Sequence, residues 1–150
     1  ALQIIMWVGT ITALYAARNV APKDRALAAS LLAALGEVVW VKSESLIDAA
    51  TAVSGSGPAY VFALTESLAA AGEAAGLPSA VAAQLARATI SGAGALLDAD
   101  KRPPAQLRRD VTSPGGTTEA ALKILLAQNG LDALMKRAVA AAKKRAEELS

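Results

Sequence analysis

The sequence contains neither cysteine nor histidine. Without cysteine the chain can form no disulfide and offers no thiol nucleophile, so the redox compartment is left open. Without histidine it has no imidazole for a catalytic triad, a general base or a zinc ligand, and we expect no metal site. Any proton chemistry must therefore use carboxylates, lysine, tyrosine, hydroxyl groups, water or a bound cofactor.

Aromatic residues and net charge are also scarce. Aromatic residues make up 3% and charged residues 19% of the chain, against about a quarter for charged residues in an average domain. The formal net charge of +2 is too small to indicate a nucleic-acid partner. The hydrophobic share of 54% consists largely of alanine and the mean hydropathy is +0.39. This composition favours closely packed helices and more buried surface than a small monomer provides, and therefore an oligomer.

The uncharged residues 1–17 are the sequence's candidate for a membrane segment. They fall short of the roughly 20 residues that a transmembrane helix needs. They include Gln3, Thr10 and Thr12, and they lack the basic region that begins a signal peptide. We therefore expect no membrane role, although an alanine at position 1 fits a processed or truncated product.

The chain's sheet signal is confined to residues 1–42. Residues 4–16 are rich in β-branched and aromatic types and predict one strand, or two strands broken at Gly9. Pro22 begins a helix that runs to about Leu35, with Gly36 as its C′ residue, and residues 37–41 form a short strand. The result is a β-α-β unit, whose two strands alone make a marginal sheet.

From Ser43 onward the pattern is helical, so the fold class is mainly α with two domains, residues 1–42 and 43–150. Ser43 is a candidate cap for the first helix of this region. Glycine- and proline-rich turns separate the predicted helices, which cover residues 44–53, 58–75, 79–98, 104–110, 117–127 and 131–148. Glycines in the second half of the third of these helices predict close contact with another helix.

The turn at residues 110–118 reads Asp-Val-Thr-Ser-Pro-Gly-Gly-Thr-Thr and differs from the helices on both sides. Pro114 fixes one backbone angle, while Gly115 and Gly116 let the backbone bend and let a ligand approach closely. The chain then enters a helix, whose first N–H groups are unpaired and suit a small anion such as a carboxylate. The alternative is an ordinary helix–helix turn with Ser/Thr caps.

An earlier turn, Ser-Gly-Ser-Gly-Pro at residues 54–58, separates two predicted helices. In chain order it is the first turn, and the turn at residues 110–118 is the second turn. The first turn could bind an anion or an amide, or it could simply join the helices. It is not a dinucleotide fingerprint, which needs a preceding strand and G-x-G-x-x-G spacing, and it lacks the Gly-Lys-Ser/Thr of a P-loop.

Several charged residues are weaker candidates. Glu66 and Glu73 lie seven residues apart on one helix face and could act as an acid/base pair or form an exposed polar stripe. Arg108 and Arg109 precede the turn at 110–118 and could add charge to it or face solvent. The basic cluster at residues 143–145 is expected to be a solvated helix face.

Together the two turns resemble the pyrroline-5-carboxylate reductase family. The resemblance lies in two long motifs, residues 48–60 (Asp-Ala-Ala-Thr-Ala-Val-Ser-Gly-Ser-Gly-Pro-Ala-Tyr) and residues 111–118 (Val-Thr-Ser-Pro-Gly-Gly-Thr-Thr). They occur in order and are joined by a matching segment at residues 72–78. The resemblance extends from about residue 12 to the end of the chain.

The resemblance implies a cytoplasmic enzyme of proline biosynthesis that reduces the cyclic imine of pyrroline-5-carboxylate to proline with NADPH or NADH. Members of the family have an N-terminal Rossmann domain and a C-terminal helical domain. Two helical domains interleave into a homodimer, and dimers can assemble further. The implied small-molecule partner is an imino acid bearing a carboxylate.

The same resemblance assigns roles to the two turns. It implies that the second turn binds the substrate carboxylate through N–H groups and hydroxyls of Ser113, Gly115, Gly116, Thr117 and Thr118. Thr118 takes the family position near the imine nitrogen, where it would orient or help protonate that atom. The first turn would lie beside the nicotinamide and the substrate, through Ser54, Gly55, Ser56, Gly57 and Pro58. The cofactor supplies the reducing electrons in such chemistry, so a site without histidine or cysteine is sufficient.

The sequence departs from the family at its N-terminus. No glycine fingerprint is present, only the last β-α-β of the Rossmann domain is recognisable at residues 12–41, and the apolar residues 1–8 replace a polar Asn-Thr-Pro segment. The first hypothesis is thus a truncated or redesigned dimerisation domain with no bound cofactor and little activity alone. The others are an active reductase whose cofactor domain is supplied in trans, and an engineered helical dimer scaffold.

Overall fold

Helices account for most of residues 10–149, which are the residues that the computed structural model describes. The chain divides into two units. The first unit comprises residues up to Gly57 together with those from Arg137 onward, and the second unit comprises Pro58–Lys136. This division differs from the predicted boundary near residue 42, because the first helix after the sheet belongs to the first unit.

The first unit begins with the predicted β-α-β element. Strand β1 covers Thr10–Leu14, helix α1 covers Pro22–Ala33 and strand β2 covers Gly36–Trp40. The strands are parallel, with a register that runs from Thr10↔Gly36 to Leu14↔Trp40. Residues 4–9 of the predicted first strand, including the break at Gly9, lie outside the described residues.

Gly36 does not have the predicted role of a helix C′ residue. Helix α1 ends at Ala33, the N–H of Leu35 donates to the carbonyl of Leu32, and Gly36 is already the first residue of β2. The helix thus ends two residues early because the strand pairing begins at Gly36. The predicted apolar face of α1 is solvent-exposed at Leu27 and Leu31.

Helix α2, Ser45–Ala50, continues directly into a π-helical segment, Thr51–Gly55. The N–H of Ser56 donates to the carbonyl of Thr51 at 2.9 Å, which is the i→i+5 bond of a π turn. The predicted break at residues 54–57 is therefore confined to Ser56. The hydroxyl of Ser43 lies 3.0 Å from that of Ser45, and α2 has no side-chain cap.

The second unit consists of helices joined by short turns, at the places that the glycines and prolines predict. They are α3 (Gly57–Ala74), α4 (Ser79–Ala99), α5 (Pro104–Asp110), α6 (Thr117–Leu125) and the start of α7 (Leu131–Leu149).

Helices α3 and α4 approach each other closely through small residues. A Cβ added to Gly72 would lie 3.2 Å from the Cβ of Ala82, and Ala82 and Ala86 are buried. Gly76 turns the chain between the two helices with φ +102°, a conformation that favours glycine. By contrast, an added Cβ at Gly92 or Gly94 meets no atom within 4 Å, so that stretch of α4 is open.

Few side chains of the described residues are buried. The buried ones are Leu14, Ala52, Ala82, Ala86 and Leu107, whereas twenty-five large hydrophobic side chains are exposed. A domain of this length normally encloses a larger core. The apolar surface that the composition predicts is thus present but uncovered within the single chain. Helix α4 is also the one described helix long and apolar enough to cross a bilayer, by length and composition alone.

Candidate functional site

The turn between α5 and α6 is a hydrogen-bonded type II turn. The N–H of Gly116 donates to the carbonyl of Ser113 at 3.1 Å, which closes the four-residue turn around Pro114 and Gly115. Proline suits the second position of such a turn, and the third requires a positive φ, which Gly115 supplies at +70°. A Cβ added to Gly116 would lie 3.1 Å from the Ser113 carbonyl oxygen. Each glycine of the motif therefore has its own structural reason.

The turn leads into the N-terminus of α6. Gly116 is the N-cap residue with extended backbone, no side chain caps the helix, and Thr117 and Thr118 are its first two residues. The first N–H groups of a helix have no intrahelical acceptor, and they carry the positive end of the helix dipole. The arrangement thus directs N–H donors toward an acceptor placed at this end of α6.

A carboxylate of the chain itself already binds at this turn. The N–H of Gly115 donates to Oε2 of Glu119 at 2.5 Å, while Oε1 of Glu119 lies 3.3 Å from Nζ of Lys123. Glu119 occupies the third helical position, as the glutamate of a capping box does, but it accepts from the N–H of the residue before the N-cap. Glu119 was not among the site residues predicted from the sequence, although a glutamate three residues after an N-cap commonly reaches back over the helix start.

Helix α5, which delivers the chain to the turn, is fixed by Arg102. Its guanidinium donates from Nη2 to Oδ2 of Asp100 at 2.7 Å and from Nη1 to Oδ2 of Asp110 at 2.8 Å, so it joins a residue before α5 to the last residue of α5. The hydrogen bonds from Arg102 lower the pKa of Asp100, and those to the two carboxylates raise the pKa of Arg102. Nε2 of Gln106 adds a bond to Oδ1 of Asp110 at 2.7 Å.

The two arginines that precede the turn take part in hydrogen bonds with residues of α5 and of the segment just after it. Nη2 of Arg109 donates to Oε1 of Gln106 at 2.6 Å, and the carbonyl of Arg108 accepts from the Thr112 hydroxyl at 2.6 Å. Both arginines are exposed. These contacts agree with the solvent-facing alternative for the pair.

The first turn has a different construction. Ser54 and Gly55 belong to the π-helical segment, Gly57 begins α3 and Pro58 follows in its first turn. Proline is tolerated there because a first-turn N–H has no intrahelical acceptor. Insertion of a π turn widens a helix locally, and such turns recur at functional sites. The sequence did not predict this geometry.

The second turn lies in the second unit, whereas residues 54–57 of the first turn lie in the first unit, so each turn is described alone. The type II turn brings Ser113, Gly115, Gly116, Thr117 and Thr118 together within the second unit, and the π-helical segment brings Ser54, Gly55 and Ser56 together in the first. Glu73 of the candidate acid/base pair has a structural partner. Glu73 accepts a hydrogen bond from the Ser79 hydroxyl at 2.8 Å, which links α3 to the start of α4.

The basic cluster on α7 is paired along its own helix. Lys143 bonds to Glu147, which raises the pKa of Lys143, and Arg145 bonds to Glu148 at 2.9 Å. Within residues 10–149 no group of three or more aspartate and glutamate side chains is arranged to bind a metal ion.

Comparison with known proteins relates both motifs to one family. A family profile described as pyrroline-5-carboxylate reductase dimerisation matches residues 44–149. A pyrroline-5-carboxylate reductase from Pseudomonas aeruginosa is 46% identical over 137 residues, which cover 91% of this chain and 50% of that protein.

Solved structures agree. A pyrroline-5-carboxylate reductase from Coxiella burnetii superposes with a TM-score of 0.84 at 44% identity and covers 93% of this chain and 52% of its own. The Plasmodium falciparum pyrroline carboxylate reductase with NADP bound superposes with a TM-score of 0.72 at 31% identity, over 91% of this chain and 52% of its own. The chain thus spans about half the length of these relatives.

Proposed function

The chain belongs to the pyrroline-5-carboxylate reductase family, and from this premise we propose that it is the dimerisation and substrate-side domain of such a reductase. The observation that carries the proposal is the Ser113–Gly116 type II turn at the start of α6, within the part of the chain that matches the family profile. The proposal has three parts: the chain forms a homodimer, it has a site for the substrate carboxylate, and these 150 residues alone have little reductase activity.

The homodimer explains the exposed apolar surface. Phe62 on α3 and Leu85 and Leu97 on α4 are each about half exposed, and Gly92 and Gly94 leave room for the backbone of another helix. Covering a half-exposed side chain of this size gains about 1 kcal/mol, so several must be covered together to offset the cost of association. A second copy of the same helices supplies complementary small and large residues, and dimers can assemble further.

The proposed carboxylate site uses the donors of the second turn. The internal contact between Glu119 and the Gly115 N–H supports it, since a carboxylate oxygen already binds there. The N–H of Gly116 is used to close the turn. In this conformation Thr117, Thr118 and the Ser113 hydroxyl are left as donors to a substrate carboxylate, Gly116 shapes the backbone, and the Gly115 N–H becomes available when the substrate carboxylate displaces Glu119.

Thr118 is the proposed catalytic residue. Thr118 is the second residue of α6, so its hydroxyl belongs to the same helical turn as the unpaired N–H donors. We propose that the Thr118 hydroxyl orients the imine nitrogen of the substrate. We propose that the turn at residues 54–58 lies beside the nicotinamide. Its residues are Ser54, Gly55, Ser56, Gly57 and Pro58.

The residues present do not fit a dinucleotide. The 150-residue sequence has no strand followed by G-x-G-x-x-G, so it lacks the backbone cradle for a pyrophosphate. NADPH or NADH would supply the hydride in a complete reductase. We infer that this chain alone binds neither cofactor usefully and has little reductase activity.

The proposal is tested by titrating the purified chain with proline and, separately, with pyrrolidine, which lacks the carboxylate. Saturable binding of proline that weakens in Thr118→Ala and is absent for pyrrolidine is the expected result. Equal binding of both compounds, or of neither, would contradict the carboxylate site. Oxidation of NADPH by the chain alone with pyrroline-5-carboxylate, at rates typical of enzymes, would overturn the inference on activity.

Two further functions have distinct outcomes in these assays. An active reductase with its cofactor domain in trans predicts that turnover appears when a separate Rossmann fragment is added. An engineered helical scaffold predicts a stable dimer that binds no proline. A cytoplasmic location stays a prediction from the resemblance.

A further inference from the structure

A cleft at the carboxyl ends of β1 and β2 takes no part in the proposed function. It has a volume of about 680 Å³ and lies wholly in the first unit. Ligands of open α/β sheets bind beyond the carboxyl ends of parallel strands, where the connecting loops diverge. The side chains that give this cleft its chemistry are Tyr15, Arg18, Arg25, Trp40, Lys42 and Ser43.

The lining is strongly cationic. Arg18, Arg25 and Lys42 line the cleft, and no acidic side chain does. None of these three cations forms an ion pair within the described part of the chain. Nη2 of Arg25 donates to the carbonyl of Ala16 at 3.5 Å, which keeps the guanidinium at the cleft. Like charges without a counter-charge repel one another, and a bound multivalent anion would compensate the three positive charges.

Two aromatic side chains complete the lining. The strand register pairs Leu14 with Trp40, so Trp40 lies next to the end of β1, where Tyr15 follows. Both aromatic side chains are partly exposed, at 37% for Tyr15 and 42% for Trp40. Partly exposed aromatic rings stack on planar groups, and base–aromatic stacking is worth about 1–3 kcal/mol per base in proteins that bind single strands.

We propose that this cleft binds a small phosphate-bearing molecule with a planar aromatic ring, of the nucleoside polyphosphate class. Arginine binds phosphate oxygens in a bidentate manner and lysine binds them as a point charge, so the three cations match a polyphosphate. Tyr15 and Trp40 match the ring. The volume falls within the 300–1,000 Å³ that is usual for small-ligand sites.

Calorimetric titration of the full chain at low salt and without magnesium tests the proposal, with ATP, tripolyphosphate and adenosine as separate probes. ATP is expected to bind saturably, tripolyphosphate about tenfold more weakly because it lacks the ring, and adenosine more weakly still. Arg18→Ala and Lys42→Ala should each weaken ATP binding about tenfold, as the loss of one charge-assisted hydrogen bond does. Lys23→Ala removes an exposed cation of α1 that does not line the cleft, and it should leave ATP affinity unchanged.

The aromatic wall has its own test. Trp40→Leu should weaken ATP binding and leave tripolyphosphate binding unchanged, and Tyr15→Leu serves the same purpose if the first variant does not fold. Equal affinity for ATP and tripolyphosphate would overturn the assignment of the ring and leave simple anion binding. Absence of saturable ATP binding, or equal weakening by Lys23→Ala and Lys42→Ala, would overturn the site itself.

Discussion

Replacement of Gly115 by alanine should destabilise the protein by about 1–2 kcal/mol, the cost of placing an L-residue in a left-handed conformation. Gly115 has φ +70°, and an added Cβ meets no atom within 4 Å, so the expected loss comes from backbone strain and not from a steric clash. For a chain of this length the loss corresponds to a lower melting temperature by roughly 2–8 °C.

The measurement is chemical denaturation at one fixed protomer concentration, because the stability of a dimer depends on concentration. Asparagine tolerates positive φ, so Gly115→Asn should recover part of the stability that Gly115→Ala loses. Gly57→Ala is the matched control. It also introduces a Cβ with no atom within 4 Å, but at the start of α3, where alanine is acceptable. A Gly115→Ala protein as stable as the unmodified chain would refute the type II turn.

Three further predictions address other parts of the second unit. Gly130→Ala should destabilise the fold more than Gly115→Ala in the same denaturation assay, because the added Cβ would clash with the carbonyl oxygen of Leu125; equal losses would contradict this. Arg102→Gln should lower the free energy of unfolding at neutral pH, measured by chemical denaturation over a series of pH values, and a deficit that persists unchanged into strong acid would contradict this. The bonds from Arg102 lower the pKa of Asp100 in the folded chain, so the stabilisation they provide is present above the pKa that Asp100 has in the unfolded chain. This stabilisation is lost as the pH falls through the pKa of Asp100 in the folded chain. The unmodified and variant chains should therefore converge in stability only at strongly acid pH. Glu119→Ala should strengthen proline binding severalfold in a calorimetric titration, because it removes the side-chain acceptor that occupies the Gly115 N–H; unchanged or weaker binding would contradict this competition.

Helix boundaries were predictable where backbone chemistry alone decides them. Pro22 and Pro104 begin helices, and Gly76 and Gly130 follow helix ends, because proline and glycine restrict or free the backbone whatever surrounds them. The π-helical segment ending at Gly55 was not predictable in this way. Its i→i+5 bond from Ser56 to Thr51 departs from the i→i+4 pattern, and local propensity does not encode that departure.

The candidate site was predictable in its backbone and not in its side chains. Proline followed by glycine indicated the turn at Ser113, whereas the contacts of Glu119 and Arg102 depend on where long side chains meet groups four and eight residues away. The burial of the apolar residues was not predictable from one chain either. Side chains such as Leu85 and Phe62 are exposed in the single chain, and their burial depends on a partner surface that one chain does not contain.

The solution mass of the purified chain tests the central claim most directly. The protomer mass is 15.1 kDa, and sedimentation equilibrium should give twice that value or a higher even multiple, with a helical circular dichroism spectrum. Leu85→Glu on α4 should shift the mass toward the protomer. A folded, stable monomer of 15.1 kDa would contradict the account, since its exposed apolar helices would then have no partner.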